Sequence, residues 1–120
     1  MMKTTDLPAQ LLSKKSQHTT MGLDTTVLPA YLAATPGWKL EGARIIKTYA
    51  FKDYYETMAF INAIAYVIHA EDHHPELLVT YNRCVVKFDT HSVNDGQGGL
   101  SENDFICAAK IDAIFQQSFS

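Results

Sequence analysis

Cysteine is scarce in this chain: Cys84 and Cys107 are the whole supply. They form neither a metal-ligand spacing nor a disulfide framework, and are expected as buried free thiols in a reducing compartment. A charge excess is missing too. Ten basic and thirteen acidic residues leave a net charge of −3, which excludes the basic face of a nucleic-acid binder except through a protein partner. Long apolar runs are absent, since even "AFINAIAYVIHA" meets charge before it could span a bilayer. The opening "MMKTTDLPAQLLSKKSQHTT" lacks the continuous apolar core of a signal peptide. The expectation is a soluble, cytoplasmic protein.

What is present suits one packed domain. Of 120 residues 47% are hydrophobic, with Phe and Tyr well represented, and a chain of this size buries roughly two-thirds of its unfolded surface. Residues 1–20 carry "SKK" and "TT" without a sustained period, so a flexible tail is expected ahead of a single domain at 21–120. From Leu23 to Ala34, Leu28, Tyr31 and Leu32 recur at helical spacing until "TPG" stops them. "WKLEGA" and "RIIKTYAF" read as strands, the second alternating Ile45, Lys47, Tyr49 and Phe51 against Ile46, Thr48 and Ala50.

Asp53 offers an N-cap, and Glu56 completes a capping-box pattern. Tyr54, Met58, Ile61, Ala65 and Ile68 then define a helix face, widened by Phe60, Ile64 and Val67. Pro75 forbids continuation. "LLVTY" and "CVVKFDTH" read as two further strands joined at "NR", followed by the loop "SVNDGQGG". Ser101, with Asp104 three residues on, caps a last helix. The order α-β-β-α-β-β-α predicts an α+β fold, a four-stranded antiparallel sheet with helices packed on one face.

Four of the five histidines, His69, His73, His74 and His91, fall within one stretch of the chain. "HAEDH" approaches the H-x-x-E-H zinc-peptidase pattern, but Asp72 stands where that pattern has Glu, and no obvious distal carboxylate ligand follows. No metal is therefore expected. A helix C-terminus favours one histidine through its dipole, yet that does not account for an adjacent pair plus a third. Imidazole both gives and takes protons near neutral pH, so a cluster around one pocket points to acid–base chemistry.

The run "HAEDHHPELLVTYNRCVVKFDTHSVNDGQGGLSEND" resembles the signature of the pterin-4a-carbinolamine dehydratases: a His-His-Pro, an aromatic six residues on, a histidine ten further, and later an aspartate. His73, His74, Pro75, Tyr81, His91 and Asp104 occupy those places, and upstream "GWKLEG" and "FKDYYETMAFI" match as well. The resemblance runs from about Leu23 to the C-terminus. At His69 relatives often carry an acid.

The resemblance implies hydro-lyase activity on a 4a-hydroxytetrahydropterin, giving the quinonoid dihydropterin for reuse by aromatic amino-acid hydroxylases, with no cofactor. It implies His73 and His91 as the acid–base pair, and His74 as a group that holds the pterin or shares the proton work. Asp72, Asp89, Thr90 and Ser92 match substrate-contacting segments. Trp38 lines the pterin site or belongs to the core, and Asp104 orients an imidazole or caps its helix. A homodimer or homotetramer is also implied. The rival expectation is a non-catalytic binding, dimerisation or assembly factor on the same fold.

Overall fold

The structure, a computed structural model, describes residues 6–120. Among these the elements run α1 (Leu7–Ser13), α2 (Leu28–Ala34), β1 (Lys39–Glu41), β2 (Arg44–Ala50), α3 (Tyr54–Glu71), β3 (Glu76–Val79), β4 (Arg83–Phe88) and α4 (Glu102–Ser118). The strands form one antiparallel sheet in the order β1-β2-β4-β3. The expected α+β architecture is present, with one helix more than the sequence reading contained.

Alternation decides which face of the sheet is covered. Ile45 pairs with Phe88 and Tyr49 with Cys84, and all four are buried with Val86 on one face. Thr48 and Ala50 point the other way and are exposed. Helix α3 packs on the buried face through Phe60 and Ile64, both fully buried, whereas Tyr54 and Ala65 are exposed. The fully buried centre of the stripe is therefore the set expected to widen the face, with Ile61 and Ile68 of the first set packed beside it. Rings tie it to the sheet: Tyr49 lies 4.8 Å from Phe60 and 5.0 Å from Phe115 between centroids.

The helix starts follow their caps. Asp53 Oδ1 accepts from Glu56 N–H at 2.8 Å, but Glu56 reaches back to the amide of Lys52, one residue before the cap. Ser101 forms the full box: its Oγ accepts from Asn103 N–H, and its own N–H donates to Asp104 Oδ2 at 2.9 Å.

Helix α4 is unusual in being buried all round over Asn103–Ala109. A helix on a sheet surface normally keeps one polar face in water. Here the second side is covered by α2, where Tyr31 packs 5.2 Å from Phe105, and by α1. The expected flexible tail is thus corrected from residue 7 onward; residues 1–5 of it lie outside the described residues. Pro8 fits the first helical turn, and Leu7 and Leu11, four apart on one face, are buried. Burying each contributes about 1.5–3 kcal/mol. A two-residue stripe is too short to register as a period.

Candidate active site

The site forms where α3 and β4 end beside the start of α4. Helix α3 stops because Asp72 takes a left-handed conformation, φ 49°. With Pro75 following, this turn sends the paired histidines in opposite directions: the His73 side chain is 13% exposed and that of His74 72%. The His73 ring lies 5.6 Å from Phe88 between centroids and nearly parallel to it, at 6°. Its Nε2 is 2.6 Å from Asp104 Oδ1.

Asp104 is fully buried and divides its two oxygens. Oδ1 faces His73, while Oδ2 accepts from Ser101 N–H and from the Thr90 hydroxyl, each at 2.9 Å. The carboxylate therefore caps α4 and orients an imidazole at once; the two readings of Asp104 are compatible. A carboxylate oxygen accepts, so in this pairing Nε2 of His73 is the donor, and Nδ1 has no hydrogen-bond partner among the described residues. Thr90 is held by paired backbone hydrogen bonds with Gly99 at 2.7 and 3.2 Å, and its hydroxyl meets that of Ser101 at 2.7 Å.

A cavity of about 230 Å³ opens beside His73 and is lined by His74, Asp89, Thr90, His91 and Ser92 as well. The histidines thus converge on one space, although His73 and His91 are far apart in sequence. Each has a carboxylate neighbour of different quality. His91 Nε2 is 3.4 Å from Asp89 and His74 Nε2 is 3.6 Å from Asp72, both exposed rings in loose ion contacts, which hold little energy. Only His73 is tightly fixed.

Trp38 stands apart. It is buried, its indole N–H donates to Asp112 Oδ2 at 3.1 Å, and its ring packs 5.9 Å from Phe88. It backs the ring that supports His73 and does not line the histidine cavity. His69 is exposed on α3. Burial pushes the Cys84 thiol up to about 11 and that of Cys107 to about 12, which leaves neither as a ready nucleophile at neutral pH. Among the described residues, no three His, Cys, Asp or Glu side chains gather in a metal-holding group.

Sequence reasoning missed a second compartment. About 240 Å³ in volume, it shares His73, Thr90 and Ser92 with the first, and its far wall is Ser16–Thr19 with Asn103. A larger cavity, about 550 Å³, lies across the same segment, but none of His73, His74 and His91 lines it. The only available signal for the segment was the Leu7 and Leu11 pair that docks it.

The family model described as pterin 4 alpha carbinolamine dehydratase matches residues 21–114. The chain belongs to that family. A Bdellovibrio bacteriovorus protein provisionally named a pterin-4-alpha-carbinolamine dehydratase is 58% identical, covering 92% of each chain. A Dechloromonas aromatica protein of the same provisional name is 51% identical over 78% of this chain and 80% of its own. Among solved structures, the Brucella melitensis transcriptional coactivator/pterin dehydratase superposes with a TM-score of 0.70 at 33% identity, covering 78% of this chain and 97% of that one. A pterin dehydratase-like RuBisCO assembly factor of the alpha-carboxysome shares the fold, with a TM-score of 0.52 at 23% identity over 64% of this chain and 84% of that one. No described helix of this family member is long and apolar enough to cross a membrane.

Proposed function

We propose that the protein dehydrates a 4a-hydroxytetrahydropterin to the quinonoid dihydropterin. The C4a–O bond breaks as a proton reaches the departing hydroxyl. The N5 proton is removed, the N5–C4a double bond forms, and water leaves. Hydroxide is a poor leaving group, so the reaction needs one imidazole that gives a proton and one that takes it. The observation that carries the reading is the 2.6 Å His73–Asp104 pair at the edge of a cavity shared with His74 and His91. A buried carboxylate on one ring nitrogen stabilises the imidazolium that forms when the other nitrogen accepts a proton, which suits His73 for taking the N5 proton. His91, exposed beside Asp89, is then the donor to the 4a oxygen. His74, with Asp72, Asp89, Thr90 and Ser92, positions the ring.

On this reading the product returns to an aromatic amino-acid hydroxylase after reduction. Strand β3 lies at a sheet edge with Leu78 and Val79 exposed, which supports a homodimer or homotetramer.

The test is stopped-flow dehydration of chemically generated 4a-hydroxytetrahydropterin with and without the protein. His73→Ala and His91→Ala should each slow the step by about a hundred-fold or more, with circular dichroism unchanged. The double variant should lose far less than the product of the two effects, and chelators should change nothing. An unaltered chain that does not accelerate dehydration would replace this reading with the binding-factor one.

A further inference from the structure

The hydrogen bond that holds His73 does not by itself fix the plane of its ring. Nε2, the atom bonded to Asp104 at 2.6 Å, lies close to the Cβ–Cγ axis about which an imidazole turns. Nδ1 lies farther from that axis, and histidine χ2 is a broad, roughly two-fold torsion. A swing of the ring therefore disturbs the Asp104 contact little, yet carries Nδ1 through a wide arc. Taking a proton at one fixed place needs a second restraint that closes the arc.

Phe88 closes it. Its ring is fully buried, pairs across the sheet with Ile45 and packs against Trp38 at 5.9 Å, so it is not free to follow the imidazole. The His73 ring lies nearly parallel to it, at 6°, with centroids 5.6 Å apart, an offset stack at a separation that aromatic pairs favour. Turning the imidazole out of that plane would drive an edge into the phenyl ring or open a gap against it. The chain just past β4 supplies the other restraint. Residues two apart share a face, and Thr90, buried like Phe88, donates to Asp104 Oδ2 at 2.9 Å. One face of this run thus holds both the ring and its carboxylate, while the alternate residues Asp89 and His91 line the histidine cavity.

We propose that Phe88 is a positioning residue for the dehydration step, its flat face setting the plane of the His73 imidazole and so the direction of Nδ1. The inference rests on the dehydratase reading above. Phe88 does not line the histidine cavity and acts only through His73. Its contribution therefore belongs to the chemical step and not to substrate binding, because a misaligned base slows proton transfer while the ligand stays seated.

Phe88→Leu and Phe88→Met leave a large apolar side chain without the flat face. Phe60→Leu is the control, because Phe60 is equally buried under the same sheet and packs on Tyr49 and Phe51 rather than on a histidine. Each variant would be assayed on chemically generated 4a-hydroxytetrahydropterin well below its own thermal midpoint. In both Phe88 variants kcat should fall about ten-fold, less than the roughly hundred-fold loss from a full ångström of misplacement, with KM held within about two-fold. Phe60→Leu should lose thermal stability yet keep both constants within about two-fold. In nuclear magnetic resonance spectra the His73 ring-proton signals should broaden in the Phe88 variants and stay sharp in Phe60→Leu. A fall in kcat shared by Phe60→Leu, or absent from whichever Phe88 variant folds, would make Phe88 an ordinary core side chain and overturn the inference while leaving the dehydratase reading intact. An unaltered chain inactive on the pterin overturns both.

Discussion

Asp104 and Asp112 lie about two turns apart on α4, and both bind three partners, yet they serve different ends. Asp112 accepts from Lys47 Nζ at 2.8 Å, from the Tyr49 hydroxyl and from the Trp38 indole at 3.1 Å. None of these partners faces the histidine cavity. Burial, then the Asp112 charge and hydrogen bond, push the Tyr49 phenol far above its ordinary range, so it stays a fixed donor. Asp104 also satisfies two fixed donors, but its third partner is the imidazole of His73, which has a second nitrogen beside a cavity. A carboxylate that meets only permanent donors ties elements together. One that meets a ring able to change protonation state can support a reaction.

The largest expected effect separates these two. Asp104→Asn should lower the dehydration rate by about a hundred-fold or more, because the amide no longer stabilises the imidazolium. Single-turnover kinetics on folded protein would measure it, and a rate near that of the unaltered chain would dissolve the contrast. Asp112→Asn should do the reverse, leaving the rate per folded molecule within about two-fold. It should destabilise by about 2 kcal/mol in urea titration, under the fully buried range because the Lys47 and Asp112 side chains are 19% and 18% exposed.

Leu11→Ala probes the packing of α1 on α4. A cavity under α1 at the fully buried Leu11 should cost about 2 kcal/mol or more. The shift of the urea midpoint at unchanged slope would measure it.

The smallest effect is acidic. Burial raises the Glu71 pKa, but the Lys110 hydrogen bond, the Ser16 amide and the nearby Lys110 and Lys15 charges outweigh it and hold it below the ordinary 4.5. A depressed folded pKa means its stabilisation is complete above about 4.5 and disappears as pH falls through the lowered value. Urea titrations across that window should show a steeper acid loss in the unaltered chain than in Glu71→Gln, which starts lower at neutral pH. Parallel curves would remove Glu71 as the anchor.

The legible parts of this molecule are those with local causes. Asp53 and Ser101 announced the starts of α3 and α4, alternation in "RIIKTYAF" announced β2, and Pro75 announced the turn that separates His73 from His74. The stripe on α3 was read in part: Phe60 and Ile64 are fully buried and Ile61, Val67 and Ile68 pack against the core, whereas Tyr54 and Ala65 are exposed. Periodicity defines a helix but does not say which side its neighbours will take. For α1 even the period was missing.

By itself the sequence determined the element types from α2 onward, the α+β class and the histidine set, because caps, alternation and a turn-bound His-His-Pro act over a few residues. Tertiary structure alone decided the partnerships. It placed Asp104 against a histidine 31 residues away, drew Trp38 into the core with Asp112, and folded the expected tail along α4 until Gln17 met Asn103, 86 residues distant. Side-chain pairing over such separations depends on where whole elements pack, and packing is a property of the assembled core rather than of any local stretch.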